Sequence, residues 1–123
     1  MALILVIDDA AAMRELVRRM LVRAEHTVIE AEDGEIGVSV FRDKRPALVI
    51  TDLLMPNKEG IETIQDIRRI SSATPIIAMS GSTATNGNLY LGAAKKLGAD
   101  AVLSKPFKPD ELLRVVDRLL SGA

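Results

Sequence analysis

Cysteine is absent from this 123-residue chain, which excludes disulfides and thiolate metal sites and fits a reducing compartment. A charge excess is missing too. With 16 basic against 17 acidic residues the formal charge is −1, so no global field draws the chain to nucleic acid or to an anionic membrane. No apolar run approaches the length of a membrane span. The opening MALILVIDD has neither a basic flank nor a small-residue cleavage site, and an acidic pair follows its apolar run at once, which makes it a strand rather than a signal peptide. A soluble, cytoplasmic protein is the expectation. Repeats, low-complexity segments and linkers are lacking, and no Gly-rich phosphate loop follows the first strand, so a nucleotide-binding reading fails. Histidine occurs once, as His26 in the polar turn before the second strand, where it reads as a solvated turn residue rather than a ligand.

What is present is an apolar content of 48%, enough for one core and, at this length, one domain over residues 1–123. The organising stretch is ALVITDLLMPNKEG, from Ala47 to Gly60: a short continuous apolar run, covered on both faces, that ends in Asp52 and a turn. A similar run, Leu3 to Ile7, ends in Asp8 and Asp9. Between them, Met13, Leu16, Val17, Met20, Leu21 and Ala24 recur at helical spacing, with Arg14, Arg18, Arg19 and Arg23 on a basic outer face that serves solvation or partner docking. Thr27 to Ala31 favours a strand, and Ile36, Val38, Val40 and Phe41 a second helix ending before Pro46. Ile61, Ile64, Ile67 and Ile70 line a third helix entered through Gly60. Pro75 to Met79 is a buried strand leading into Ser80. A polar, mobile stretch and a weaker helix from about Leu89 to Leu97 follow, stopped by Gly98; Ala101 to Leu103 is the last strand, and Pro109 opens a final helix. Strands alternating with helices call for α/β architecture, a doubly wound parallel sheet of five strands flanked by five helices.

Parallel strands bring Asp8, Asp9, Asp52, Ser80 and Lys105 to one edge, where ligand sites of open α/β sheets form. Three carboxylates in one cleft repel, each close pair by roughly 4 kcal/mol at a near-surface dielectric, so the cluster needs a cation or a protonated acid. Oxygen ligands with open water positions suit Mg2+. Mg2+ and a lysine ammonium supply the positive charge that phosphoryl transfer requires, and Asp52 is the nucleophile that would form an acyl phosphate. Ser80 can donate to a phosphoryl oxygen and Lys105 offers a flexible point charge. Taken singly, Asp8 reads as a strand-end cap for the first helix, Ser80 as a turn residue and Lys105 as a structural ion-pair partner; together they point to chemistry.

IDD at 7 to 9, TDLLMPNKEG at 51 to 60, AMSG at 78 to 81 and SKPF at 104 to 107 resemble the receiver domain of two-component response regulators, in order, spacing and placement at strand ends. The resemblance covers essentially the whole chain. It implies a flavodoxin-like sheet of order 2-1-3-4-5, Asp52 as phosphoacceptor, Mg2+ bound by Asp8, Asp9 and Asp52 with the backbone carbonyl of Leu54, Ser80 as the switch hydroxyl, Lys105 as the phosphoryl contact, and a cis Lys105-Pro106 bond. The implied phosphate source is a phosphohistidine on a sensor histidine kinase or phosphotransfer protein, and the implied output is a change in what the surface binds. The only catalysis implied is the domain's own phosphorylation and dephosphorylation.

Four departures from the family pattern shape the expectations. Val102 stands where an aromatic toggle is usual, so readout falls to Ser80 and the adjoining loop. The Gly81 to Asn88 segment is a few residues longer than is common. Ala10 leaves the first helix without a side-chain cap, and Leu54 is apolar where some relatives place a polar group near the attacking water, which predicts slow hydrolysis. Among competing functions, an aspartyl phosphatase of the haloacid-dehalogenase type needs a second acid two residues after its nucleophile, and the chain has Leu54 and Ala10 at those positions. A docking-only module conflicts with an intact site. No output domain is expected within residues 1–123, which suits a stand-alone receiver acting by protein contact or one receiver of a larger regulator or hybrid kinase. Tyr90 fits a partner contact or the core, and both a monomer and a phosphorylation-dependent dimer stay open.

Overall fold

In a computed structural model, which describes residues 1–53, 60–80, 95–96 and 98–122, the apolar runs form β1 (Leu3–Ile7), β2 (Thr27–Ala31), β3 (Leu48–Asp52), β4 (Ile76–Ser80) and β5 (Ala101–Ser104). They pair in parallel in the order β2-β1-β3-β4-β5. The described helices are α1 (Ala11–Arg23), α2 (Gly34–Lys44), α3 (Gly60–Ile70) and α4 (Pro109–Leu120). The helix expected from about Leu89 to Leu97 lies outside the described residues except for Lys95 and Lys96, which are helical. Leu54, Tyr90 and the Gly81 to Asn88 segment also lie outside them. Among the described residues, no helix is long and apolar enough to cross a membrane.

Alternation along the central strands sends side chains to two separate cores. Leu5, Ile7, Val49, Ile76 and Ala78 meet Phe41 of α2 and Ile64 and Ile67 of α3. On the other face Ile4, Val6, Ile50, Ile77 and Met79 meet Val17 and Leu21 of α1 and Leu112 and Val116 of α4. Each fully buried Ile or Leu contributes about 1.5–3 kcal/mol of transfer free energy, which is why β3 and β4, buried at every position, anchor the sheet. Leu16 and Ile36, which helical spacing placed with the apolar stripes, are exposed: the stripes are wider than the surface the sheet covers.

Helix ends follow local chemistry. Asp33 accepts the Ile36 N–H at 2.9 Å and caps α2. As expected, α1 has no side-chain cap at Ala10. Pro109 opens α4, where Glu111 Oε1 accepts the Lys108 N–H at 3.1 Å. Gly98 has φ +129°, the left-handed region that only glycine adopts easily. Arg68 of α3 packs over it and donates to the Gly98 carbonyl at 3.0 Å, to that of Thr74 at 2.6 Å and to Asp100 Oδ2 at 2.6 Å. This guanidinium ties together the segments that lead into β4 and β5.

His26 corrects the sequence reading, because it is buried rather than solvated. Glu25 takes φ 70°, and the His26 N–H donates back to Leu21 O at 3.0 Å, so the chain reverses at the end of α1. The pairing of Thr27 with the start of β1 then brings the ring against Ala2, whose N–H donates to His26 Nδ1 at 3.2 Å.

Candidate functional site

β1 and β3 are neighbours, so their ends deliver acids to the same point of the edge. Asp52 is the last residue of β3 and Asp8 follows β1; both are buried, whereas Asp9 is exposed. The three carboxylates each place an oxygen within 4.8 Å of the others. Lys105, just past the end of β5, puts Nζ 3.1 Å from Asp8 Oδ2 and 3.3 Å from Asp52 Oδ1, with its side chain largely covered. The Lys105-Pro106 bond is cis. Ser80 ends β4, between the strands that carry Asp52 and Lys105; its carbonyl accepts the Lys105 N–H at 2.7 Å. The Ser80 hydroxyl is fully buried and has no hydrogen-bond partner among the described residues. All the described residues that the sequence predicted for the site therefore stand together; Leu54 is outside the described set.

The electrostatics are unbalanced. Among the described residues, the three acids face a single ammonium, that of Lys105. Burial pushes the Asp52 carboxyl up from 3.8 to about 6, with Lys105 pulling it down and Asp8 and then Asp9 raising it further. An oxygen-only donor set in this state fits a hard divalent cation. The buried Ser80 hydroxyl is the second group that wants a ligand, since an unmade hydrogen bond in the interior costs about 1–3 kcal/mol.

The backbone beneath Asp52 is clamped by a close approach. The Gly60 N–H donates to Leu53 O at 2.9 Å, and the Leu53 N–H to Met79 O at 3.0 Å. A Cβ on Gly60 would run into the Asp52 carbonyl oxygen and lie 2.5 Å from the Leu53 Cα, so glycine is what lets α3 start against the end of β3. Two further features were not visible in the sequence. Arg14, read as part of a solvated basic face, is largely covered and donates to the Asp8 carbonyl oxygen at 2.7 Å. Asp8 Oδ1 accepts the Ala10 N–H at 2.9 Å, a turn bond rather than a cap on the helix proper. Val102 is half-buried in β5, where it packs against the core shared by α2 and α3.

Comparison with known proteins agrees with this arrangement. The family model described as Response regulator receiver domain matches residues 4–117. The chain is 33% identical over 119 residues to the Chemotaxis protein CheY of Bacillus subtilis (strain 168), covering 96% of this chain and 97% of that protein. It is 37% identical over 126 residues to the Probable transcriptional regulator ycf27 of Porphyridium aerugineum, covering 97% of this chain but only 51% of that protein, so it spans about half the regulator's length. The solved receiver domain of NtrX from Brucella abortus superposes with a TM-score of 0.89 at 29% identity, covering 98% of this chain and 99% of that one. With matching sequence and fold, the chain belongs to the response regulator receiver domain family of two-component signalling.

Proposed function

We propose that residues 1–123 form one receiver domain that is switched by phosphorylation of Asp52. The observation that carries this reading is the convergence of three carboxylates with one lysine ammonium at the carboxyl edge of the sheet. A carboxylate oxygen of Asp52 attacks the phosphorus of a phosphohistidine on a sensor histidine kinase or phosphotransfer protein. An O–P bond forms, the P–N bond breaks, and its electron pair leaves with the imidazole, which takes a proton from solvent. Asp8, Asp9 and Asp52, with the Leu54 carbonyl, would hold Mg2+. When bound, that ion supplies positive charge that keeps the acids ionised and stabilises the transferring phosphoryl oxygens. Lys105 bridges Asp8 and Asp52 before transfer and turns its charge to the new phosphoryl group afterwards, and the buried Ser80 hydroxyl donates to one of its oxygens.

Output follows from that last contact. With Val102 in place of a ring, an aromatic toggle is excluded, and the new Ser80 bond reorganises the segment that follows β4. The altered surface engages a downstream protein in the cytoplasm, and a phosphorylation-dependent dimer is one form this can take. No substrate other than the domain itself is turned over. The reading holds for a stand-alone protein and for one receiver of a larger regulator.

The test is intact mass after incubation with a small acyl-phosphate donor and Mg2+, beside Asp52→Asn and a chelator control. One added phosphoryl group, lost in both controls, is the expected result. An adduct that survives Asp52→Asn, or none together with no binding of beryllofluoride, refutes it.

A further inference from the structure

We infer that Arg14 is a positioning residue for the metal site, acting through the peptide that joins Asp8 to Asp9; this rests on the Mg2+ reading above. The Asp8 carbonyl belongs to that peptide, and Arg14 donates to it at 2.7 Å. The Asp8 N–H is held by Ala31 O at 3.1 Å, and Asp8 Oδ1 by the Ala10 N–H at 2.9 Å. Asp8 is thus fixed at both backbone ends and at its side chain. Asp9 is exposed, and its carboxylate direction depends on the plane of the peptide that Arg14 grips. Arg14 is itself oriented from β2, where Glu30 Oε1 accepts its Nε–H at 3.2 Å. Because α1 has no side-chain cap, this guanidinium is the side chain that braces the acidic turn from the helix that follows.

Two effects compete when Arg14 is removed, and their signs differ. Loss of a cation near three carboxylates would by Coulomb's law tighten divalent-cation binding. Loss of the brace lets the Asp8-Asp9 peptide rotate and spreads the ligands, which weakens it. Partners just outside a metal's ligand set typically account for roughly ten- to hundredfold in affinity, so the brace wins.

The experiment is titration of Mn2+, an oxygen-seeking paramagnetic probe, followed by electron paramagnetic resonance of the free ion. Wild type, Arg14→Gln, Arg14→Lys, Glu30→Gln and the Arg14→Gln/Glu30→Gln double variant are compared, with urea unfolding in chelator as the stability control. Arg14→Gln is expected to bind about tenfold more weakly. Glu30→Gln shifts affinity less in the same direction, and the double variant is no weaker than Arg14→Gln, because Glu30 acts through Arg14. Arg14→Lys keeps the charge but cannot reach both acceptors, so it too weakens binding; it decides the matter if Arg14→Gln does not fold. Equal or tighter binding by a folded Arg14 variant overturns the inference. Absence of binding by wild type overturns the Mg2+ reading itself, and the inference with it.

Discussion

Asp52→Asn should stabilise the metal-free domain, although it removes a partner of Lys105. Folding raises the Asp52 carboxyl from 3.8 to about 6, chiefly by burial, so the native state prefers the protonated acid. The stabilising contribution of the protonated form is fully present below 3.8, fades as pH rises, and is gone once pH passes about 6. Between those values the gap corresponds to about 3 kcal/mol at full strength. Solvent reaching the cleft past the exposed Asp9 lowers this to about 1–2 kcal/mol. Asparagine has nearly the same shape and no charge, and it leaves the Lys105–Asp8 pair at 3.1 Å in place. In chelator at pH 7.5 the variant should therefore be more stable by about 1–2 kcal/mol, with the advantage vanishing near pH 4. The chain has no tryptophan, so urea unfolding is followed by far-ultraviolet circular dichroism. Saturating Mg2+ should reverse the order, because a ligand at a hundredfold over its Kd adds about 2.7 kcal/mol to the species that binds it. Wild type as stable as Asp52→Asn at pH 7.5 in chelator, or an advantage unchanged at pH 4, would refute the reasoning.

Lys105→Met removes the charge that holds the Asp52 carboxyl down, so its titration, read from carboxyl carbon shifts by NMR, should move above about 6; a midpoint at or below that value contradicts the assignment. Gly60→Ala forces a methyl group into the backbone of Asp52 and Leu53, and should cost about 2 kcal/mol or more in urea unfolding while also lowering the yield of acyl phosphate. Arg68→Met strips donors from Thr74, Gly98 and Asp100 and should cost about 3 kcal/mol, yet leave Mn2+ affinity unchanged, since this junction serves the starts of β4 and β5 and not their ends.

β1, β3 and β4 were legible because their runs are short, continuous and buried on both faces, a pattern that leaves few alternatives, whereas the edge strand β2, mostly exposed or half-buried, was legible only from its β-favouring residues. Asp8, Asp52, Ser80 and Lys105 followed directly from where those runs end. The order of the strands came from resemblance, since alternation of strand and helix implies a parallel sheet without ordering it. Arg14 was hidden because nothing in the spacing separates it from Arg18, Arg19 and Arg23; Glu30 approaches both Arg14 and Arg18, and what distinguishes Arg14 is its bond to the Asp8 carbonyl, which only the docking of α1 against the end of β1 brings about. His26 was misread for a similar reason. A polar turn in the sequence became an interior position once β2 paired with β1 and Ala2 turned its N–H toward the ring. Gly60 is legible as a helix entrance, but its closer duty against the Asp52 carbonyl depends on how α3 docks onto the end of β3.

The separation along the chain of the acids from their lysine sets an order of assembly during synthesis. Asp8, Asp9 and Asp52 are all made before Lys105, which follows Asp52 by 53 residues. At ordinary translation speeds of about 5–20 residues per second, Asp52 waits roughly 3–10 s for its counter-charge and Asp8, 97 residues ahead of Lys105, roughly 5–20 s. Through that interval a nascent β1–β3 pair has every incentive to keep an acid protonated or to recruit a cation, and no means of completing the pocket. The acidic cluster of a ribosome-bound fragment therefore lacks its lysine, and the pocket is complete only once the last strand is in place.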